Sequence, residues 1–316
     1  MDAIMNSAFY DTDRIVFGIL MIIATIASML LSGLMIICFW RHRGIFSKSP
    51  VFIFCYNLIA TDFLRNINCL ANIIPVFYLA DSKKEQEHRE ALVFVIISEL
   101  SIVGYIAWII LITFLTINRL LTFYKPSVIR KNTFYQILCC SIFAWVFAIA
   151  VDVIKMTWDV SSIEGINIHT RENNKNYNFE GLIVCYYLIN PTVLFLMYLA
   201  SFYKVRSFTR VNGSASVGTR KSASTERQPV VINSIKFESL ILRQGIMICT
   251  VYQMSTLLDY FAEEIIRFLG PWSAFYFNVY LIFLVILFNS INALTFFCFN
   301  KTAIGFLRKM FLPGTH

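Results

Sequence analysis

Charge is what this sequence has least of. Only 15% of its 316 residues are Asp, Glu, Lys or Arg, where a water-soluble domain carries about a quarter. Apolar residues make up 58%, with 30 phenylalanines and 15 tyrosines among the aromatics. That is more apolar surface than one water-facing core can hide, so lipid is the expected solvent for most of the chain. Histidine is scarce too: His42, His88, His169 and His316 all fall outside the apolar runs. A metal hydrolase within those runs is therefore disfavoured, as is an intramembrane enzyme with clustered nucleophiles or paired aspartates. No catalytic residue, metal ligand or cofactor is assigned. The eight cysteines lie inside apolar stretches without metal-ligand spacing to histidines, and read as small buried hydrophobes. No cleavable signal is expected at the start, because the first apolar run is too long and lacks a basic lead or an A-x-A-like site. No internal repeat is apparent, which argues against a transporter built from repeats.

What is present in abundance is long apolar runs. Crossing a bilayer core takes about 20 apolar residues in a helix, and seven stretches qualify. They are Ile15–Trp40, Val51–Ala80, Ala91–Ile117, Thr133–Ile154, Gly181–Tyr203, Phe237–Phe261 and Trp272–Phe299. The second is interrupted by Asp62 and Arg65, and the sixth by Arg243 and Gln244. The expected fold is an all-α membrane protein, a seven-transmembrane helix bundle over 15–299. Residues 1–14 form an outer N-terminus, and 300–316 a short amphipathic helix and tail.

Orientation follows from the basic residues. One set of connections holds Arg41, Arg43 and Lys48, then Arg119, Lys125, Arg130 and Lys131, then Lys204 to Arg243, then Lys301, Arg308 and Lys309. It carries only Glu226 and Glu238 as acids. The other set mixes its basic residues with many acids. The positive-inside rule then predicts N-terminus out, seven crossings and C-terminus in. The net charge of +8 marks a cytoplasmic face beside membrane lipid, and no nucleic-acid partner is expected.

Arg119 ends the third run in "TINRLLTFYKP", seven residues before Pro126, which bars the helix from continuing far. Here the chain resembles rhodopsin-like G-protein-coupled receptors, whose third helix ends in an acid-Arg-Tyr triplet with a proline at this spacing. Asn118 and Leu120 stand for the acid and the tyrosine, a variant that looks like the nematode serpentine chemoreceptor branch, X- or V-like in class. Other motifs agree in order. "NLIATDFL" resembles the second-helix signature with Asp62 as its acid. Trp145 falls 26 residues after Arg119, and Pro191 in "LINP" matches the fifth-helix proline. "NSINALTFFCFNK" resembles the seventh-helix Asn-Pro-x-x-Tyr signature, keeping Asn292 but with Ala293 for proline and Phe296 for tyrosine. The usual outer disulfide and the sixth-helix Cys-Trp-x-Pro are missing.

The resemblance implies roles. Arg119 is held inside the bundle at rest and meets a heterotrimeric G protein on activation, with Asn118, Leu120, Pro126, Asn292 and Phe296 in the same switch. Glu238, at the start of the sixth span, is the acid expected to restrain Arg119. In the family Asp62 binds sodium. Here Arg65 stands three residues away, within reach of a direct ion pair, and Trp108 fills a position where a serine usually serves the ion, so sodium insensitivity is expected. Ser101 and Tyr105 face the family's ligand pocket, with Tyr186, Tyr187, Tyr252, Gln253 and Tyr276 as neighbours. Each tyrosine also fits an interfacial anchor or bundle packing. Ser101 takes the place of the amine-binding acid, which disfavours a biogenic amine.

The third inner loop, about 206–235, is basic and rich in serine, threonine and glycine, a composition that predicts disorder. It offers Ser222 and Ser224 to a kinase, and through phosphate to arrestin-type regulators, or else serves as a solubilising linker. The reading is a chemosensory receptor in the plasma membrane of a sensory neuron or cilium, taking a small-molecule ligand from outside. A neuropeptide or lipid receptor of the same fold is the alternative, and a polytopic transporter or channel the next.

Overall fold

Backbone N–H and C=O groups in lipid find no water, so long apolar runs satisfy them internally as helices. The computed structural model describes residues 2–42, 51–73, 75, 91–124, 133–157, 189–204, 206, 228–270, 273–299 and 301–311. In chain order the helices are α1 (Asp2–Arg41), α2 (Val51–Asn68, continued by a π-helical turn at Cys69–Ile73), α3 (Leu92–Tyr124) and α4 (Thr133–Thr157). α5 is described over 189–204. α6 (Gln228–Tyr260), α7 (Ala262–Leu269), α8 (Ser273–Phe299) and α9 (Lys301–Phe311) follow. Among the described residues there is no strand. Among the described residues, four helices are long and apolar enough to cross a membrane, at Thr12–Arg41, Leu92–Leu121, Phe134–Ile154 and Ser273–Phe299.

Two of these organise the rest. α3 packs against both α2 and α4, which also touch each other, while α8 packs against α1, α2 and α6. Small side chains set the close seams. The buried stripe of α4 runs through Ile137, Ser141, Ala144 and Ala148, a helical spacing whose short residues let two backbones approach. Thr25, Ser28 and Ser32 do the same on α1. A Cβ on Gly104 of α3 would stand 3.4 Å from Leu64 of α2, and one on Gly245 of α6 would overlap the Tyr198 ring of α5. Several threonine hydroxyls within these helices return their protons to the preceding turn. Thr25 donates to the Met21 carbonyl at 2.8 Å, Thr116 to Ile112 at 2.6 Å and Thr295 to Ile291 at 2.7 Å. Each of these threonines therefore sits in apolar surroundings without an unmet donor, whereas the Ser32 and Ser141 hydroxyls are buried without a partner.

Three boundaries differ from expectation. α1 begins at Asp2 rather than at 15, since nothing between them breaks a helix. α6 begins at Gln228, so 228–235 are helical where disorder was expected. Pro229 is no obstacle in a first turn, whose N–H groups have no partner within the helix, and the apolar residues Val230, Val231 and Ile232 follow it. α7 was not anticipated. It is closed by Gly270 at φ 95, whose N–H donates to the Ile266 carbonyl at 2.9 Å, a backbone conformation glycine adopts without steric penalty. Ser273 then opens α8 by donating its hydroxyl to the Gly270 carbonyl at 2.7 Å.

Candidate functional site: a polar seam under an aromatic cluster

Asparagines gather where α2 and α8 meet. Asn292 Nδ2 donates to Asp62 Oδ2 at 2.9 Å. Four residues along α2, Asn66 Oδ1 accepts from Asn289 Nδ2 at 3.1 Å, and Asn66 Nδ2 donates to Ser28 Oγ of α1 at 3.0 Å. All five side chains are buried. A polar group in such a place is costly without a partner, so these bonds tie three helices in one register. Asn57 extends the pattern to α4, where Trp145 Nε1 donates to its Oδ1 at 2.7 Å. The sequence reading singled out Asp62, Trp145 and Asn292. It missed Ser28, Asn66 and Asn289 as a set. The signal was there in part: Asn66 and Asn289 lie three or four residues from Asp62 and Asn292, on the same helix faces.

One expectation fails here. Asp62 and Arg65 make no direct ion pair among the described residues. The Arg65 guanidinium instead lies over two rings on other helices, 4.9 Å from the Tyr105 centroid and 4.7 Å from that of Phe288. Its Nη1 and the Asp62 Oδ1 are both buried without a hydrogen-bond partner. Neighbours on adjacent helices thus outweigh the three-residue spacing along α2. Directly beside this cation, Trp108 packs edge-on against Phe288 at 4.6 Å and Tyr252 at 5.2 Å. Trp108, Tyr252 and Phe288 are no more than 2% exposed, so the cluster fills the space between α3, α6 and α8.

Arg119 is 4% exposed, near the end of α3, within electrostatic reach of Cys55 of α2 and Tyr198 of α5. Asn118 and Leu120 beside it are half-buried. At the same end of the bundle, Phe296 packs against Phe39 of α1 at 4.9 Å. Phe39 in turn meets Phe52 of α2 at 4.8 Å. Ala303, Phe306 and Leu307 of α9 join this cluster while Arg308 stays exposed, the two-sided pattern expected of an amphipathic helix.

The proposed pocket residues divide. Ser101 is buried, and Tyr105 packs with Trp108's cluster under Arg65. Tyr252 belongs to that cluster as well. Gln253 accepts a bond from Thr192 of α5 at 3.2 Å, linking α5 and α6. Tyr276 is committed elsewhere, donating to Asp13 of α1 at 2.6 Å beside Phe17. Pro191 is buried near the start of the described part of α5. Pro126, Tyr186, Tyr187, Ser222, Ser224 and the side chain of Glu238 lie outside the described residues, and with them the expected Glu238–Arg119 contact. The described residues hold no group of three or more metal-ligating side chains, and the cysteines among them form no disulfide. No protein-family model matches the chain, and no curated protein matches its sequence.

Proposed function

We propose that the chain is a seven-helix chemosensory receptor, N-terminus out, which binds a small molecule near Ser101 and Tyr105 and activates a heterotrimeric G protein at the Arg119 end. The observation that carries this reading is the burial of Arg119. An arginine that merely marks the membrane boundary extends its head group into water, whereas this one is 4% exposed. A cation kept inside an apolar bundle has a use there. The seam of Asp62, Asn66, Asn289 and Asn292 supports the same reading, because it lies between the two ends and offers bonds that can be exchanged. Ligand and G protein then favour one bundle state, and each raises the other's affinity. Sodium has no part in the switch, since Asn292 already donates to one oxygen of Asp62 and the Arg65 cation stands within its electrostatic reach.

The test is expression of the full chain in cells carrying promiscuous G proteins, with a screen of volatile and soluble small molecules. A ligand-dependent signal is expected, and Arg119→Ala should abolish it without changing surface expression. Epitope tags should place the two termini on opposite sides of the membrane. Equal signalling by Arg119→Ala, or both tags on one side, overturns the reading.

A further inference from the structure

Arg65 is the cation whose chemistry the seam does not use. It is 8% exposed, and its nearest acid along α2, Asp62, spends Oδ2 on Asn292. Two rings, Tyr105 of α3 and Phe288 of α8, lie against the guanidinium at 4.9 and 4.7 Å. Such ring contacts take the flat face of a guanidinium and leave its in-plane N–H donors unused. Nη1 is one of those donors, buried and without a hydrogen-bond partner. Aromatic contacts contribute on the order of 1–2 kcal/mol to a buried cation, less than its transfer out of water costs. The arrangement is a held cation whose nearest acid, Asp62, stands within electrostatic reach but leaves Nη1 without a hydrogen bond.

A second observation marks where α2 departs from regular geometry. One turn beyond Arg65, α2 changes to a π-helical turn at Cys69–Ile73. Such a turn widens the helix locally and interrupts the regular backbone ladder, and it recurs at ligand sites. It lies on the Ser101 side of Arg65, away from the Arg119 end.

We propose that Arg65 is the anchor for the carboxylate of a small organic acid that enters from the Ser101 end, its two oxygens accepting from the guanidinium edge while Tyr105 and Phe288 hold the face. The inference rests on the receptor reading for its route of entry and names the ligand class of that site. Its fork of donors matches a carboxylate in two parallel bonds, which neither a neutral amide nor a quaternary amine can accept.

The experiment uses the full chain, purified in lipid nanodiscs at neutral pH and constant ionic strength. Thermal unfolding is measured with hexanoate, benzoate and indole-3-acetate, each against its own amide. At least one acid should raise the midpoint saturably while its amide does not. Arg65→Gln should weaken that acid about tenfold or more, with Arg65→Lys intermediate because lysine keeps the charge but loses the fork. Should Arg65→Gln fail to fold, the acid–amide contrast in the unaltered chain and the Arg65→Lys titration decide. Equal shifts by acid and amide, no shift by any acid, or unchanged binding in Arg65→Gln overturn the proposal. The two readings fail separately. Acid binding without any G-protein signal in cells keeps the anchor and removes the receptor. A signal from neutral ligands that survives Arg65→Gln does the reverse.

Discussion

α8 and α4 are both apolar enough to cross a membrane, yet they use their surfaces differently. In α8, 56% of the most apolar stretch is buried inside the bundle, against 28% in α4. α3 pairs with α8 in this respect, and α1 with α4. Hydropathy alone does not separate them. The kind of polar side chain differs between α8 and α4. α8 carries Asn278, Asn289, Ser290, Asn292 and Thr295 buried, all within an apolar run, and such groups persist only where another helix supplies partners. α4 keeps small residues toward α3 and turns Ile142, Val146, Phe147 and Ile149 outward, each 46–60% exposed. The central helices bury both faces against neighbours. The outer ones keep specific contacts on one face, such as Asn66 to Ser28 on α1 and Trp145 to Asn57 from α4, and leave the other uncovered. Substitutions should be felt in that order.

The largest effect is expected at Gly245, where a side chain has no room. A Cβ there meets the Tyr198 ring, and Tyr198 is 1% exposed. Overpacking of this kind costs about 1–3 kcal/mol for one added carbon and more for a branched residue. Gly245→Val should therefore leave little folded protein by fluorescence-detected size exclusion, with Gly245→Ala intermediate. In a Tyr198→Ala background the Gly245→Ala cost should fall to a few tenths of a kcal/mol, because the partner of the clash is gone. An undiminished cost there would break the close α5–α6 contact assigned to this pair.

Next comes the seam. Asn292→Leu strips Asp62 Oδ2 of its donor while Oδ1 already has none. An unmet buried polar group costs about 1–3 kcal/mol. Asp62→Leu combined with Asn292→Leu should be more stable than Asn292→Leu alone, since both partners leave together. Thermal unfolding of the two variants checks this, and a double variant that is worse than the single one would mean that Asp62 has further bonds to lose. Trp145→Phe is milder. It removes one bond to Asn57, and bonds of this kind in membrane bundles contribute about 0.6 kcal/mol on average.

Much of this architecture is legible in the sequence, for a physical reason. A run of twenty apolar residues is an average over many positions, so single errors do not matter. Ile15–Trp40, Thr133–Ile154 and Trp272–Phe299 accordingly lie within α1, α4 and, but for Trp272, α8. Asp62, Trp145 and Asn292 were also recognisable, and each takes part in an interhelical bond. Arg65 was placed beside Asp62, which remains within its electrostatic reach, but its ring neighbours were missed. Three-residue spacing says which side chains can meet along one helix, but the two rings that hold Arg65 come from α3 and α8, and nothing local to α2 encodes them. Ser28 was invisible for a similar reason, because one serine in an apolar run carries no signal until Asn66 faces it. Tyr276 shows the opposite case. Its seventh-span position suggested the pocket, while Asp13, in a segment expected to precede the first helix, becomes its partner because α1 extends back to Asp2.

The smallest effect is expected on the outer face of α4. Ile142, Val146 and Ile149 are 51–60% exposed and face away from Ser141, Ala144 and Ala148. If lipid covers them, exchanging one aliphatic side chain for another changes neither packing nor transfer energy much. The triple variant Ile142→Leu, Val146→Leu and Ile149→Leu should then unfold within about 0.5 kcal/mol of the parent chain. Its elution volume in detergent should not change either. A cost well above that, or a change in elution volume, would mean that a protein surface covers this face, since protein packing responds to side-chain shape as fluid lipid does not. The contrast between α4 and α8 would then narrow to one of partners, with α4 also buried, but against a neighbour outside this chain.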